Sequence, residues 1–407
     1  MSIETAVAAC PITLHALVEG HTDPHGLYDA LREQERVSWD ATGRCWLVTG
    51  HGAVRKLLAD PRFVSDGTLV NPQPRRPARR SFLSDAIQKQ ILFVDGEKQA
   101  RMQKAVLVEL ARRGESLAGP LRASALELAE AARARGELDL VRGFAIPYSL
   151  RAISLILGLP PLAVDEVERL ERQSTIYADV TSGHLRMEMD EILALGEYFQ
   201  ARVAERGGVP GDDLIGAFMR DAGLDDADEV AIQAMMAFAA GRVTTQKLLA
   251  SGLALLLDGW AGWRAAVLGS PTTLRKLTDE LLRVVTPTRY VVRYATEDVT
   301  LDLGDGDAAT LRRGEKVVFF LEAANRDPAA FACPHAVQAE RAPNPHLAFG
   351  FGAHRCPGAS VARIEIQTAL QALFETFAEL RPHPGSPPEW DPNPNLGGYA
   401  SYRCICA

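Results

Sequence analysis

The chain has 407 residues, 47% hydrophobic and 24% charged, with a formal net charge of −8. That apolar share builds a large core and excludes a disordered chain, while the acidic balance argues against nucleic acid, whose partners carry a basic face. No stretch reads as the roughly 18 uncharged apolar residues of a membrane span, and residues 1–10 lack a signal peptide's basic start and apolar run, so a cytoplasmic enzyme with no membrane partner is expected.

Along the chain, residues 24–34 carry helical apolar spacing, 44–49 (RCWLVT) read as a strand and 51–58 as a short helix. The basic, proline-containing patch at 72–80 (PQPRRPARR) reads as a loop, because apolar periodicity resumes on both sides. Segments 100–112, 117–135, 148–157, 163–177 and 185–205 show apolar residues at i, i+3 and i+4 and are predicted helices. The longest candidate, 226–257, has no proline and opens on acids that suit the positive end of a helix dipole. Its middle, 235–240, is apolar nearly all round, so this helix is expected to cross the core. Strand-like pieces follow at 290–294, 317–321 and 399–406. With no repeat or low-complexity linker, the reading is one domain over residues 1–407, mainly α with a smaller β portion.

Six cysteines (Cys10, Cys45, Cys333, Cys356, Cys404 and Cys406) are scattered through the chain, which argues against a disulfide framework. Cys404 and Cys406 alternate as along a strand; two ligands at that spacing make an incomplete metal site.

The segment 349–358, FGFGAHRCPG, places three glycines in ten residues, so its backbone turns tightly or approaches something closely. Cys356 is followed by Pro357 and a helical run, 359–374, and proline is favoured just inside a helix start. A sulfur at a helix N-terminus is stabilised as the thiolate by the amides and the dipole, as a metal ligand requires. A buried structural cysteine is the other reading of the loop alone.

Phe349, Gly352, His354, Cys356 and Gly358 match F-x-x-G-x-H-x-C-x-G, and the chain here resembles the cytochrome P450 family. Glu280 to Arg283 resemble that family's E-x-x-R helix, 323–331 (AANRDPAAF) the meander after it, Arg341 the arginine that pairs with the glutamate, and 361–365 (VARIE) the helix after the cysteine loop. The resemblance runs from the N-terminal strands to the C-terminus. It implies a P450 fold, with haem b between a long central helix and the cysteine-loop helix.

It further implies roles. Cys356 becomes the thiolate ligand of iron, pushing electron density that favours O–O cleavage. Phe349 shields the sulfur, and the backbone about Gly350 and Gly358 tunes the iron through second-shell donors. His354 and Arg293 hold haem propionates. Glu280, Arg283 and Arg341 form a buried structural network.

The sequence also departs from the family. Ala240-Gly241-Arg242-Val243-Thr244-Thr245 stands where the family has A-G-x-[D/E]-T. Thr244, with Thr245 beside it, matches the threonine bordering the oxygen groove, and Gly241 is read as leaving room for that groove. The acid that assists proton delivery is replaced by Val243, so protons must come by water, substrate or another side chain. Arg242 either points away and pairs with an acid, or faces the pocket and holds an anionic group. Arg289, in the segment where the family lines its pocket together with Val291, either joins it on a carboxylate or lies on the surface. The family's histidine and arginine, four residues apart on haem propionates, are replaced by Gln99 and Gln103.

The leading reading is therefore a monooxygenase acting on a small organic molecule, which can bear a carboxylate, in specialised metabolism. Its electrons come from a separate ferredoxin and ferredoxin reductase, since no clustered cysteines for a fused iron–sulfur site occur. Basic residues near Arg101, Lys104 and Arg355 suit an acidic electron donor. A peroxide-using, radical-coupling or desaturating enzyme is the alternative, and a non-catalytic haem sensor the third.

Overall fold

The computed structural model describes residues 12–18, 24–34, 37–71, 82–184, 188–221, 223–224, 226–304 and 307–406. The patch at 72–80, the first ten residues and the predicted helix start at 185–187 lie outside these. In chain order the elements are α1 (Leu14–Val18), α2 (His25–Gln34), β1 (Val37–Asp40), β2 (Cys45–Val48), α3 (His51–Leu58), β3 (Phe63–Val64), α4 (Phe82–Gln88), α5 (Gly96–Arg135), β4 (Glu137–Asp139) and α6 (Ile146–Leu157). There follow α7 (Val164–Thr181), α8 (Met189–Ala204), α9 (Leu214–Asp221), α10 (Ala227–Leu257), α11 (Trp260–Gly269), α12 (Pro271–Val285), β5 (Tyr290–Ala295), β6 (Val299–Gly304), β7 (Asp307–Leu311) and β8 (Lys316–Phe320). The chain closes with α13 (Leu321–Ala324), α14 (Ala359–Thr376), β9 (Leu380–Pro382), β10 (Glu389–Trp390), β11 (Tyr399–Ser401) and β12 (Arg403–Cys406).

Two expectations change. The helices predicted at 100–112 and 117–135 are one 40-residue helix, α5, running through Pro120. Its buried stripe of Leu117, Leu121, Ala125 and Ala129 passes the proline at steps of four, so burial carries the helix across a residue that usually breaks one. The predicted strand at 399–406 is two strands in different sheets, β11 with β10 and β12 between β4 and β9. Cys404 is buried in β12 and Cys406 half-buried, so the alternation is that of a strand.

The contacts divide the chain into two compact units. The first holds Met1–Ala78, Thr288–Ala336 and Pro345–Arg355. Its sheet has the order β1-β2-β8-β5-β3, with β2 and β8 parallel and the other pairs antiparallel. Strand β8 shows why the sheet is buried on both faces. Val317 and Phe319 point into a cluster with Trp46, Val48 and Leu57, while Val318 and Phe320 point into another with Tyr28, Leu31 and Leu47. A strand that is apolar on both faces belongs at the centre of a covered sheet.

The second unit holds Arg79–Pro287, Val337–Asn344 and Cys356–Ala407. Its axis is α10, which packs against α6, α7, α8, α12 and α14. The helix starts where the acids predict, with Asp226 Oδ1 accepting from the Glu229 amide at 2.8 Å. From Glu229 to Ala250 it is buried, except that Ala237, Ala240, Gly241 and Thr244 form a half-buried stripe at i, i+3, i+4 and i+7. The stretch Leu140–Leu157, in which a π turn leads into α6, is long and apolar enough to cross a membrane by length and composition. It is 67% buried within the fold and carries Arg142 and Arg151.

Also in this unit, Glu280 accepts from Arg283 (Nε and Nη2, both 2.8 Å), Arg341 Nε (3.0 and 3.1 Å), the Gln338 amide (2.9 Å) and Asn344 Nδ2 (3.2 Å). Burial pushes the Glu280 carboxyl up, and the hydrogen bonds from Arg283 and the Gln338 amide, with the Arg283 charge, outweigh it and hold the carboxyl below its ordinary value.

Candidate active site

Cys356 is exposed and lies two residues ahead of Gly358, the N-cap of α14. Pro357 therefore precedes the cap; the sequence had suggested a proline inside the first turn. A Cβ on Gly358 would stand 3.7 Å from Cys356 Sγ, so glycine keeps the start of α14 open toward the sulfur. The preceding part of the loop belongs to the first unit. Gly350 and Gly352 both have left-handed backbones (φ 66° and 75°), and a Cβ on Gly352 would lie 2.1 Å from the Leu58 carbonyl oxygen, a collision that only glycine avoids. The meander is tied to the chain just before this loop, where the Leu347 amide donates to Asn325 Oδ1 at 2.6 Å, and to α3, where the His51 amide donates to Asp327 Oδ2 at 2.8 Å.

In the same unit His354 and Arg293 are half-buried, and Phe349 packs its ring against His346 at 5.9 Å between centroids. Arg293 Nη1 donates to the neighbouring Val292 carbonyl at 2.7 Å. Val291 is half-buried beside the first cluster of the sheet.

On α10, Thr244 Oγ1 donates to the Ala240 carbonyl at 2.7 Å, the back-bond that loosens a helix ladder locally. Gly241 faces elsewhere than expected: a Cβ there would meet Ile153 Cδ1 of α6 at 2.8 Å, so this glycine serves the α6–α10 contact. Thr245 Oγ1 donates to Glu365 Oε2 of α14 at 2.8 Å. Burial drives the Glu365 carboxyl up to about 7, although the Thr245 hydrogen bond pulls it down. Val243 is buried and lines a cavity of about 380 Å³ whose polar wall includes Thr175, Gln246, Lys247, Asp391 and Asn393. Lys247 Nζ donates to Asp391 Oδ2 at 2.6 Å, and Asn393 Nδ2 to Asp179 Oδ1 at 2.6 Å.

Both arginines assigned to a substrate carboxylate are turned to protein partners. Arg242 is fully buried and donates from Nε to Ser174 Oγ (2.8 Å), from Nη1 to Gln246 Oε1 (2.7 Å) and from Nη2 to Thr175 Oγ1 (2.5 Å), with Glu171 at 3.9 Å. Two residues from Thr244 along a helix is 200°, so the guanidinium leaves α10 on the side away from the half-buried stripe, toward α7. Burial lowers its pKa to about 10, partly offset by Glu171, Asp179 and Asp391. Arg289 is buried beside Glu322, Nε to Oε2 3.4 Å, where Tyr28 Oη also donates at 3.2 Å. Gln99, buried on α5, donates from Nε2 to Gln103 Oε1 at 3.4 Å, so these two meet as an i, i+4 pair.

A family profile for cytochrome P450 matches residues 272–399, which span the Glu280 network and the cysteine loop. Cytochrome P450 105C1 of Streptomyces sp is 33% identical over 379 residues, 92% of each chain. The chain belongs to the cytochrome P450 family. Mycinamicin IV hydroxylase/epoxidase of Micromonospora griseorubida is 32% identical to this P450, over 88% of this chain and 90% of that one. The same fold is seen in P450BioI, crystallised with a fatty-acid-loaded acyl carrier protein, at TM-score 0.84 and 24% identity over 95% and 99% of the two chains. This P450 is accordingly an oxidoreductase of the monooxygenase kind, acting on a small molecule, with a haem-thiolate cofactor and redox partners.

The residues fit haem. A thiolate is a soft donor that suits iron, and Cys356 is exposed two residues ahead of the N-cap of an 18-residue helix. Within the same unit α10 offers the half-buried stripe of small residues with Thr244 at its end. In the first unit, half-buried His354 and Arg293 are side chains of the donor type that carboxylate groups require.

Sequence reasoning gave Glu365 no role of its own, although it lay in the quoted VARIE segment and is a buried carboxyl held by Thr245. The signal was present: a carboxylate at a buried periodic position, beside Val361, Ile366 and Ala369 on α14. It also missed Lys247 and Asp391, whose pairing across 144 residues no local pattern encodes.

Proposed function

We propose that this P450 hydroxylates or epoxidises a small organic molecule in specialised bacterial metabolism, drawing electrons from a separate ferredoxin and its reductase in the cytoplasm. The chain acts as one catalytic domain over residues 1–407, and its haem is the b form. Relatives named as a mycinamicin IV hydroxylase/epoxidase, a 20-oxo-5-O-mycaminosyltylactone 23-monooxygenase and a pentalenic acid synthase support the reaction and setting. The observation that carries the reading is the pair formed by exposed Cys356 at the start of α14 and Thr244 at the end of the half-buried stripe of α10.

In this reading Cys356 holds iron, His354 and Arg293 hold the propionates, and Gln99 and Gln103 add uncharged hydrogen bonds. Phe349 covers the sulfur, and Gly350 and Gly358 leave its backbone donors accessible. When bound, the haem activates oxygen for insertion into the substrate, which consumes two electrons and two protons for each oxygen molecule. Thr244, its hydroxyl donating to the Ala240 carbonyl at 2.7 Å, turns its oxygen lone pairs to the half-buried stripe of α10 as an acceptor. Thr245 points to Glu365. Val243 and Val291 supply apolar contact to the substrate. Arg242 and Arg289 serve the framework, so the substrate needs no carboxylate.

Val243, where the family has an acid, favours a second reading: peroxide-driven oxidation, in which hydrogen peroxide brings its own protons and none need be delivered to reduced oxygen. Turnover separates the two. Product is expected with NADPH, ferredoxin and reductase; full turnover with hydrogen peroxide and none with the reducing system would sink the monooxygenase reading. Spectral titration of the ferric protein with candidate ligands then identifies the substrate class.

A further inference from the structure

The cavity beside Val243 lies within the second unit, among α6, α7, α10 and the segment 391–400. Its volume of about 380 Å³ falls in the range of roughly 300–1,000 Å³ in which proteins seat small organic molecules. The segment 391–400 lies close against α10: a Cβ on Gly398 would stand 2.8 Å from Lys247 Cδ. Ile146, Val243, Leu396 and Ala400 give the cavity an apolar wall.

Most of its polar groups are committed to one another. Lys247 is paired with Asp391, Asn393 holds Asp179, and Arg242 donates to Ser174, Thr175 and Gln246. Two groups keep capacity to spare. Gln246, only 7% exposed, accepts from Arg242 Nη1 on Oε1, and since arginine only donates, that contact fixes the orientation of the amide. Gln246 Nε2 then has no acceptor among the described residues, and a buried donor is costly unless something accepts from it. Glu171 is the second. Its Oε1 lies 3.9 Å from Arg242 Nη1 and 3.4 Å from Thr175 Oγ1, and its Oε2 has no hydrogen bond among the described residues. Both side chains flank the same nitrogen of Arg242, so one ligand can reach both.

The charge balance names the sign. Three carboxylates, Glu171, Asp179 and Asp391, stand about the cavity against two buried cations, Lys247 and Arg242. Arg142, exposed at the rim, leans toward Glu389 at 3.8 Å. One further positive charge completes the set. Among the described residues no group of His, Cys, Asp and Glu is arranged for a metal ion, and the apolar wall suits an organic cation.

We propose that this cavity binds a small organic amine with a hydroxyl or carbonyl oxygen next to the nitrogen. The ammonium group sits on Glu171, the oxygen accepts from Gln246 Nε2, and the hydrocarbon lies against Ile146, Val243 and Leu396. Two sources share this chemistry: one end of the substrate itself, which rests on the monooxygenase reading, and a second molecule bound beside it.

The test is calorimetric titration of the haem-loaded ferric protein. The probe is vicinal dimethylaminocyclohexanol, a tertiary amine too crowded to ligate iron well. Vicinal isopropylcyclohexanol has the same shape without the charge, and dimethylaminocyclohexane lacks the oxygen. The parent protein is expected to bind the amino alcohol about tenfold more tightly than the uncharged alcohol, the order of one charge-assisted hydrogen bond. Glu171→Gln is expected to abolish that preference. Gln246→Met is expected to remove the advantage, roughly fivefold, of the amino alcohol over the amine without oxygen. The Soret band separates the sources: a shift with the calorimetric midpoint assigns the cavity to the substrate's own end, and an unmoved band assigns it to a second molecule. Equal affinity of the parent for the amino alcohol and its uncharged counterpart overturns the proposal, and needs no variant. So does a preference that survives Glu171→Gln, an oxygen contribution that survives Gln246→Met, or no binding of the amino alcohol at millimolar concentration. None of these readouts involves turnover, so failure of the monooxygenase reading leaves the binding result standing.

Discussion

Gly241 offers the sharpest test of how α10 is used. Substitution by alanine adds one methyl group, placed 2.8 Å from Ile153 Cδ1 and 3.4 Å from Cγ1, where carbon atoms prefer roughly 3.5–4.0 Å. Overpacking of that kind costs about 1–3 kcal/mol. Alanine in a helix interior returns about 1 kcal/mol relative to glycine. Gly241→Ala alone is therefore expected to cost about 0–2 kcal/mol. Ile153→Val deletes Cδ1 at a cost of about 0.5–1.5 kcal/mol, with a small cavity left behind. In that background the new methyl group fills the gap, and Gly241→Ala becomes neutral or stabilising by up to about 1 kcal/mol. The coupling energy between the sites should be about 1–2 kcal/mol. Urea midpoints at constant slope for the four proteins measure it. An equal cost of Gly241→Ala in both backgrounds would refute the steric reasoning and return this glycine to the open groove.

Three further outcomes are expected. Arg242→Ala should lower stability by at least about 2 kcal/mol through lost packing and stranded Ser174, Thr175 and Gln246 partners, while affinities for matched carboxylate and neutral ligands shift equally; a loss confined to carboxylates, seen in spectral titrations, would restore the arginine to substrate binding. Arg283→Ala should cost about 3–5 kcal/mol by leaving Glu280 short of its main partner; because the folded carboxyl is held below its ordinary value, the network's contribution is present above the unfolded carboxylate pKa and fades as pH falls through the folded one, which acid titrations of parent and variant compare. Glu365 has the opposite sign: its carboxyl rises from 4.5 to about 7, so the folded state holds the extra proton and the parent loses stability, by ~3 kcal/mol in all, as pH climbs across that window. Glu365→Gln should flatten that slope in stability measurements across the same window, and a slope unchanged by the substitution would contradict a buried neutral carboxyl.

The sequence by itself determined the family and most elements. Cys356 with its spaced neighbours, the E-x-x-R segment and the proline-free run at 226–257 are local patterns, and local patterns survive because hydrogen-bond geometry, helix periodicity and glycine's left-handed backbone act over a few residues. Helix α3 spans the residues the pattern predicts, and α10 begins at the acidic start the sequence marks, where the structure adds an Asp226 cap. Pro120 shows where local reading ends: a breaker by its own chemistry, it lies inside α5 because the buried stripe on either side is continuous. Only the tertiary structure decided where side chains of equal local merit point. Arg242 and Val243 are adjacent, yet one spends its side chain on hydrogen bonds to Ser174, Thr175 and Gln246 while the other is an apolar part of a cavity that Thr175 and Gln246 also line. Gly241 answers to Ile153, 88 positions earlier in the chain, and Thr245 answers to Glu365, 120 residues later. Such pairings depend on which helices cross and at what rotation, and a rotation of 100° per residue turns a one-residue step into a different neighbour and a different chemistry.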